Sequence, residues 1–446
     1  MRTTIVCVVL LVLSIDVIAL SAQVDARLAA RTGVPERRTD AAGTAIPPGV
    51  TLADGLTEGE AVATALWNNP AFRAQLTDLG FARVDLLEAG LLRNPVLSLL
   101  FPLGPKQFEA TLRWPIEVLW ERPRRVAAAR LAVDRVAATL EQSGLDLVLE
   151  VKVAHADLLL ARDRAELTER TATERERIRE LTLSRFSAGD ISELEARSAA
   201  IDAATARQDA QRARSEITIR ANDLRGRMGL AFDTAASPAV LVPAANDDGA
   251  LRSADCATSA NALEDALASR PDVRAAEIAI EEAGHRLGWE KSKILAVTAA
   301  LDANGSGSEG FEMGPGIDIP VPLFDRNQAG RARASAQLER ASLAYAATRQ
   351  RVATEIRDAA ARWEQALAFA TGLRDTVLSP LEGQLRSADQ AYQAGDVSYL
   401  FVLETTRRLT DARIRTREAD AEVARARALV ERALGRSCAA GVSNGV

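Results

Sequence analysis

Apolar residues recur at intervals near 3.5 residues along two long stretches of the chain. The first stretch runs from Pro123 to about Ser184 and holds a single glycine, Gly144. Such spacing is typical of coiled-coil helices, and at about 1.5 Å per residue about 60 residues would span about 90 Å. The apolar positions are Leu147, Val151, Ala154, Leu158 and Ala161 in the first stretch, and Val352, Ile356, Ala359, Trp363, Ala366 and Ala370 in the second.

Strict alternation of apolar and polar residues predicts short strands over residues 107–114 and 311–319, with partners at about 95–103 and 294–303. Such two-faced strands occur in membrane barrels, with lipid outside and water inside, and also in half-buried soluble sheets. Four strands are too few to close a barrel with a lumen. Either a small sheet packs on helices, or several chains pool their strands.

Similar segments recur in the same order about 200 positions apart, which predicts two structural repeats. For example, Pro70 and Pro271, which follow matching Ala-Leu pairs, lie 201 positions apart. The predicted organisation is a signal peptide at 1–22, an irregular N-terminal segment at 23–57, a first repeat at 58–235, a linker at 236–260, a second repeat at 261–436 and a C-terminal tail at 437–446. Each repeat follows one plan of helix, two strands, very long helix and long helix.

The positively charged start and the short apolar run that follows predict export with cleavage near Ser21 or Ala22. The alternative is a membrane anchor, for which the run is short and is interrupted by Asp16. Export would place Cys256 and Cys438 in an oxidising compartment, where they either form a disulfide or remain free thiols. The net charge of −6 and the lack of a basic block give no support to a nucleic-acid partner. Glu282 and His285 have di-iron spacing but lack the second copy that such a site needs. The chain has no catalytic set, and we expect neither an enzyme nor a cofactor or metal site.

Together the motifs resemble the TolC-like outer-membrane factor family over residues 58–436. They are the Ala-Leu-x-x-x-Pro segments ending at Pro70 and Pro271, the run Ile-Pro-Val-Pro-Leu-Phe-Asp-Arg-Asn-Gln at 319–328, and the Phe/Tyr-x-Ala-Gly-Asp-x-Ser-x-Leu segments beginning at Phe186 and Tyr392. The resemblance implies a mainly α chain with a small β part. It also implies a homotrimer whose twelve strands form an outer-membrane barrel, continued by a long periplasmic helical coiled-coil barrel.

By the same resemblance, the protein would be the passive outer-membrane duct of a tripartite efflux system. Its partners would be a periplasmic adaptor, an inner-membrane pump, most often of the resistance-nodulation-division (RND) type, and outer-membrane lipid. The Pro-Leu-Phe-Asp-Arg-Asn-Gln form is similar to the branch that exports heavy-metal cations. The alternatives are a type I secretion channel and a periplasmic coiled-coil scaffold that forms no channel.

The resemblance also assigns roles to the two Ala-Gly-Asp turns at the periplasmic end. Gly189, Asp190, Gly395 and Asp396 would lie where the adaptor contacts the duct. Glycine permits the sharp reversal, and each aspartate is a candidate cap for the helix that follows.

Glu195, Tyr392 and Glu404 match gating or aperture positions of the family. Three copies of Glu404 around a pore would favour cations. Val397 replaces the basic residue that the family uses to hold its gate, so we expect Asp396 or Arg407 to act instead.

Overall fold

A computed structural model describes residues 23–32, 50, 55–101, 108–230, 261–294, 296–305, 310–394 and 396–438. The first part holds helices α1 (23–32), α2 (Glu58–Asn68) and α3 (Pro70–Gly90), strands β1 (Val96–Leu100) and β2 (Phe108–Pro115), and helices α4 (Val118–Ser187) and α5 (Glu193–Arg227). The second part holds α6 (Ala262–Ser269), α7 (Pro271–Ser292), β3 (Thr298–Gly305), β4 (Phe311–Asp318), α8 (Gln328–Leu373), a π-helical segment (Arg374–Leu378), α9 (Ser379–Ala394) and α10 (Tyr399–Leu434). The fold is therefore mainly helical with one small sheet, as predicted.

The chain divides into two compact units. The first unit comprises Gln75–Gln142 and Leu267–Arg351, and it contains the whole sheet. The second unit comprises Asp25–Ala74, Ser143–Ala266 and Val352–Val446. Both Ala-Gly-Asp turns belong to the second unit.

Helix α2 begins with a capping box in which Thr57 and Glu60 satisfy each other's backbone N–H groups. The helix ends before Asn69-Pro70, because proline favours the first turn of a new helix. The side chain of Asn69 accepts a hydrogen bond from Phe72 N at 3.0 Å and donates to Arg227 O at 2.8 Å. Asn69 therefore caps α3 and ties it to the end of α5.

The apolar stripes predicted for the two long helices are buried. On α4, Val151 and Leu158 are fully buried, and Ala154 and Ala161 lie between them on the same face. The stripe of α8 from Val352 to Ala370 is also buried. The 3.5-residue spacing therefore identified the packed face of each helix.

The N-terminal segment is not wholly irregular, because residues 23–32 form a helix. Leu28 of this helix packs so closely on α4 that a Cβ atom at Gly144 would lie 2.7 Å from its Cδ atoms. The guanidinium of Arg31 donates to Gly435 O at 3.1 Å, and Ser437 N donates to Arg31 O at 2.7 Å. The prediction of an irregular segment is wrong for these ten residues, because their partners come from distant parts of the sequence.

The four strands form one antiparallel sheet in the order β1-β2-β3-β4. Its register sets Leu97 opposite Leu112, and Leu112 opposite Leu301. Residues of the predicted apolar faces thus share one side of the sheet, where large side chains such as Met313 and Ile317 are about two-thirds exposed. The opposite side carries the polar residues Ser98, Glu109, Thr111, Arg113, Asp302, Asn304, Glu312 and Asp318, together with the apolar residues Val96 and Leu100 of β1.

Within the described ranges, β1 and β4 each have a neighbour on one side only. Their outer edges therefore present backbone groups that can pair with another strand. The described helices include none that is long and apolar enough to cross a membrane.

Candidate functional site

The first Ala-Gly-Asp turn joins α4 to α5 through tight backbone hydrogen bonds. Gly189 has φ +84°, a conformation that favours glycine, and its N–H donates to Phe186 O at 2.9 Å. The N–H of Asp190 donates to Arg185 O at 2.9 Å. A side chain at Gly189 would meet nothing within 4 Å, so glycine is required by the backbone conformation and not by space.

Ser192, and not Asp190, caps α5. Its hydroxyl accepts from Glu195 N at 3.3 Å, and the Glu195 carboxylate accepts from Ser192 N at 3.4 Å. The predicted capping role of Asp190 is therefore wrong, since the chain continues for two residues before the helix begins. Glu195, a predicted gate residue, holds the first turn of α5 through this capping box.

The second turn joins α9 to α10 and differs in detail. The N-cap of α10 is Ser398, whose side chain makes no capping hydrogen bond, so the predicted capping role of Asp396 is also wrong. Asp396 N donates to Ala391 O at 2.8 Å. Gly395 lies outside the described residues, and Tyr392 is about half exposed in the last turns of α9.

Glu404 lies partly exposed on α10, one turn before the two arginines Arg407 and Arg408. Its carboxylate accepts hydrogen bonds from Arg407 at 2.9 and 3.0 Å and from Arg408 at 3.1 Å. These bonds lower the pKa of Glu404 to about 2, so the group stays ionised at all physiological pH values. The negative charge of Glu404 is therefore balanced by the positive charges of Arg407 and Arg408. The sequence-based expectation of a ring of three Glu404 carboxylates did not include these two arginines. Arg407, a candidate for holding the gate, is bound to Glu404 on its own helix.

A buried charged cluster links the start of α2 to α4 and α10. The Lys152 ammonium lies 2.8 Å from the Glu58 carboxylate and 2.6 Å from that of Glu431. Burial opposes the charge on Lys152, but the two carboxylates outweigh this effect and raise its pKa. One turn further, the Nε2–H of His155 donates to Leu56 O at 2.9 Å. Burial is the largest influence on His155 and lowers its pKa, so the ring is neutral.

A series of ion pairs continues from this cluster along α4 and α10. Three aspartates of α4 face three arginines of α10 in antiparallel order. These pairs are Asp146–Arg432 at 2.8 Å, Asp157–Arg425 at 2.5 Å and Asp163–Arg417 at 3.4 Å. The sequence did not predict this series, because each partner lies more than 250 positions from the other.

Two further predictions concern cysteines and metals. Cys438 is disulfide-bonded, and Cys256 lies outside the described residues, so their pairing stays a prediction. Among the residues that the structure describes, no group of three or more His, Cys, Asp or Glu side chains could hold a metal ion.

Comparison with known proteins identifies the fold and the family. The model of the family described as outer membrane efflux protein matches residues 104–230 and 262–436. The cobalt-zinc-cadmium resistance protein CzcC of Cupriavidus metallidurans is 26% identical over 386 residues, which are 85% of this chain and 90% of CzcC. These matches confirm the resemblance that the sequence motifs indicated.

Solved structures share the fold at low sequence identity. A membrane protein from Pseudomonas aeruginosa aligns with TM-score 0.69 at 20% identity over 90% of this chain and 99% of its own. The outer membrane protein VceC of Vibrio cholerae aligns with TM-score 0.66 at 18% identity, over 85% of this chain and 96% of VceC. The two matched regions cover strands β2 to β4 and the long helices α4, α5, α8 and α10, which together are more than half of the chain. The chain therefore belongs to the outer membrane efflux protein family, whose members are outer-membrane channels with a large periplasmic part and not enzymes.

Proposed function

We propose that three copies of this chain form an outer-membrane duct in a tripartite efflux system. Each copy contributes four strands to a shared twelve-stranded barrel, and the long helices continue that barrel into the periplasm. An inner-membrane pump of the RND type supplies energy, and a periplasmic adaptor connects the pump to the duct. The observation that carries this proposal is the sheet, which has an exposed apolar side and two edges open to further strands.

The apolar side of the sheet supports contact with lipid. Leu97, Leu99, Phe311, Met313 and Ile317 are each more than half exposed on this side. Monomeric soluble proteins rarely expose so many large apolar side chains together, because water solvates them poorly. The opposite side is polar along β2, β3 and β4, with Val96 and Leu100 of β1 as its exposed apolar residues, and its polar part suits a water-filled lumen.

The open edges support assembly from several chains. In a membrane, an edge strand with unpaired backbone groups is costly, so β4 of one copy pairs with β1 of the next. Three such junctions close the barrel with cyclic symmetry. The matching positions of the two sequence segments ending at Pro70 and Pro271 support an internal two-fold repeat within each copy.

The proposed substrates are heavy-metal cations. The name of CzcC records resistance to cobalt, zinc and cadmium, and the run at 319–328 is similar to the metal-exporting branch. The adaptor contacts the turns at Gly189–Asp190 and Gly395–Asp396. Glu195, Tyr392 and Glu404 lie at the gate, where Arg407 and Arg408 accompany each Glu404 carboxylate.

Two neighbouring residues on opposite sides of β4 provide a test of the barrel. Met313 lies on the apolar side and Glu312 on the polar side, and both are exposed in the single chain. Met313→Arg would place a charge in lipid at a cost of up to about 2–4 kcal/mol, whereas Glu312→Arg would face water. We expect M313R to reduce the outer-membrane trimer several-fold in fractionation and crosslinking, and E312R to leave it unchanged. Equal amounts of soluble monomer for both variants would instead support the periplasmic scaffold.

Growth assays test the substrate class. Deleting the gene should increase sensitivity to Co²⁺, Zn²⁺ and Cd²⁺, and the intact gene or E312R should restore resistance, because the duct is the exit for the exported cations. Loss of a secreted protein with normal metal resistance would support the type I secretion channel.

A further inference from the structure

Exposed apolar side chains surround the places where the strands end and the long helices begin. Phe324, just before α8, is 92% exposed, and Trp120, in the first turn of α4, is more than one-third exposed. Water solvates such side chains poorly, so a group of them on one part of a surface indicates contact with lipid or with another molecule. We call this group the junction collar, and its members are Leu91, Leu92, Leu119, Trp120, Ile319, Val321, Leu323 and Phe324.

The junction collar continues the apolar side of the sheet. Ile319 and Val321 follow β4 at the same alternate spacing as Ile317 within it, and all three are at least half exposed. Pro320 and Pro322 have no N–H, so β4 stops pairing here while the apolar spacing goes on. The junction collar therefore lies at the level where the proposed lipid-facing side of the sheet ends.

Two exposed arginines lie next to the collar in the first turns of α4. The Nε–H of Arg122 donates to Gly90 O of α3 at 2.7 Å, and an Nη1–H of Arg124 donates to Gly288 O of α7 at 2.9 Å. Within the described ranges, neither arginine makes an ion pair. Most N–H groups of the two guanidinium groups are therefore left for water or an anion.

Glycine at both acceptor positions keeps the surface beside these arginines open. A Cβ atom at Gly90 or Gly288 would meet nothing within 4 Å, so packing does not require glycine there. In the second half of the chain, Arg326 adds a third exposed guanidinium, whose Nε–H donates to Pro322 O at 3.2 Å. A backbone carbonyl thus holds each of the three groups, and no carboxylate among the described residues neutralises its charge.

An anionic phospholipid fits this combination of apolar and cationic groups. Arginine binds phosphate through parallel N–H···O bonds, and acyl chains cover apolar side chains. Trp120 and Arg124 lie one helical turn apart on the same face of α4, about 6 Å at about 1.5 Å per residue, so one lipid can contact both. A free phosphate ion would leave the collar uncovered, and a lipid without net charge would leave the arginines unneutralised.

A second copy of the chain fits this position less well. In the proposed trimer, copies meet at the edge strands β1 and β4, whereas α4 follows the inner strand β2. The contacts of Arg122 with α3 and of Arg124 with α7 place helices of the same chain on two sides of α4. The remaining surface of the first turns of α4 is therefore left for lipid.

We propose that the junction binds an anionic phospholipid of the membrane leaflet that faces the periplasm. The lipid phosphate lies at Arg122 and Arg124, and the acyl chains lie on the junction collar. Because lipid reaches the collar only if the sheet lies in the membrane, this site rests on the proposed function. It adds a preference for lipid charge, which an apolar surface alone does not have, and the bound headgroup fixes the depth of the sheet in the membrane.

Native mass spectrometry of the purified full-length protein in detergent tests this site. Phosphatidylglycerol and phosphatidylcholine with identical acyl chains are offered together, and the ratio of the two bound lipids is measured. We expect the intact protein to prefer phosphatidylglycerol, and Arg122→Gln with Arg124→Gln to lower the ratio at least about fivefold. Arg175→Gln with Arg177→Gln is the matched control and should leave the ratio unchanged. These two arginines also lie on α4 without an ion pair among the described residues, but about 50 residues further along.

An unchanged lipid ratio in Arg122→Gln with Arg124→Gln would overturn the lipid site. The same spectra give the mass of the assembly, so a monomer would contradict the proposed duct, whereas a trimer without a charge preference would contradict this site alone. Arg122→Lys with Arg124→Lys keeps both charges and should keep at least about half of the preference. If the glutamine variant yields no trimer, the intact protein is compared at low and high salt, where a preference that persists undiminished at high salt would refute the site.

Discussion

At the scale of single residues, Lys152 is held by two carboxylates from distant parts of the chain. Glu431 lies 279 positions away, and both partners approach within 2.8 Å. From the sequence alone, Lys152 would be assigned to the solvent-exposed face of its helix, because the neighbouring residues in the sequence do not show which distant residues cover it. Its role therefore depends on tertiary contacts that sequence patterns do not record.

We predict that Lys152→Met strongly destabilises the protein. The substitution removes the shorter of the two ion pairs of the buried Glu431 carboxylate, which keeps only Arg427 at 3.3 Å, and it also removes the cation of Glu58. Breaking a buried pair typically costs about 3–5 kcal/mol, and we expect a loss of stability of up to this size. The midpoint of chemical unfolding in detergent measures the effect. Arg197→Ala is the matched control, because its pair with Glu193 is exposed and contributes at most about 1 kcal/mol. Equal shifts for both variants would contradict the buried role of Lys152.

We predict that His155 makes the folded protein less stable in acid. Its pKa is lowered in the folded state, so between that value and the ordinary value of 6.5 the unfolded chain binds a proton that the folded chain does not. Stability is thus complete above pH 6.5 and falls as the pH drops below it, by at most about 1.4 kcal/mol per pH unit. His155→Gln should reduce the difference between unfolding midpoints at pH 7.5 and 5.5. His285→Gln, at an exposed position, should preserve it.

At the scale of elements, the helix ends show what local sequence can and cannot predict. Ser192 followed by Glu195 is a capping-box signal, and it would have identified the start of α5 where Asp190 did not. Ser379-Pro380 likewise marks a break within a helical pattern. The strands were predicted because alternation is local, whereas the register that sets Leu112 opposite Leu301 depends on residues from the two halves of the chain. The helix at 23–32 lacked a local signal, because its burial comes from Gly144 and the end of α10.

Two glycines near the end of α5 should respond oppositely to alanine. Gly229 has φ +73°, and a Cβ atom there would lie 2.5 Å from Asn68 O. Gly229→Ala should therefore destabilise the fold by more than about 1 kcal/mol. Gly226 lies within the helix with no atom in the way, so Gly226→Ala should stabilise it by about 0.5–1 kcal/mol. Thermal unfolding of both variants provides the measurement, and shifts in the same direction would show that backbone conformation does not decide the outcome.

At the scale of the whole molecule, Cys438 at the end of the described chain is disulfide-bonded. We predict that Cys256 is its partner, since export places both in an oxidising compartment. Cys256→Ser should then expose one reactive thiol, at Cys438, under denaturing and non-reducing conditions. Mass spectrometry after maleimide labelling detects it. An unlabelled Cys438 in this variant would show that another cysteine forms the bridge.

The two open edges of the sheet have a consequence for cells that carry an intact and a defective gene together. In the proposed trimer, the β4 edge of every copy pairs with the β1 edge of a neighbour. One copy whose edge strand cannot pair therefore prevents the whole trimer from closing its barrel. With equal expression and random mixing, only about one ring in eight would hold three sound copies. A mutation confined to an edge strand would therefore act in a dominant-negative manner, although it alters a single subunit.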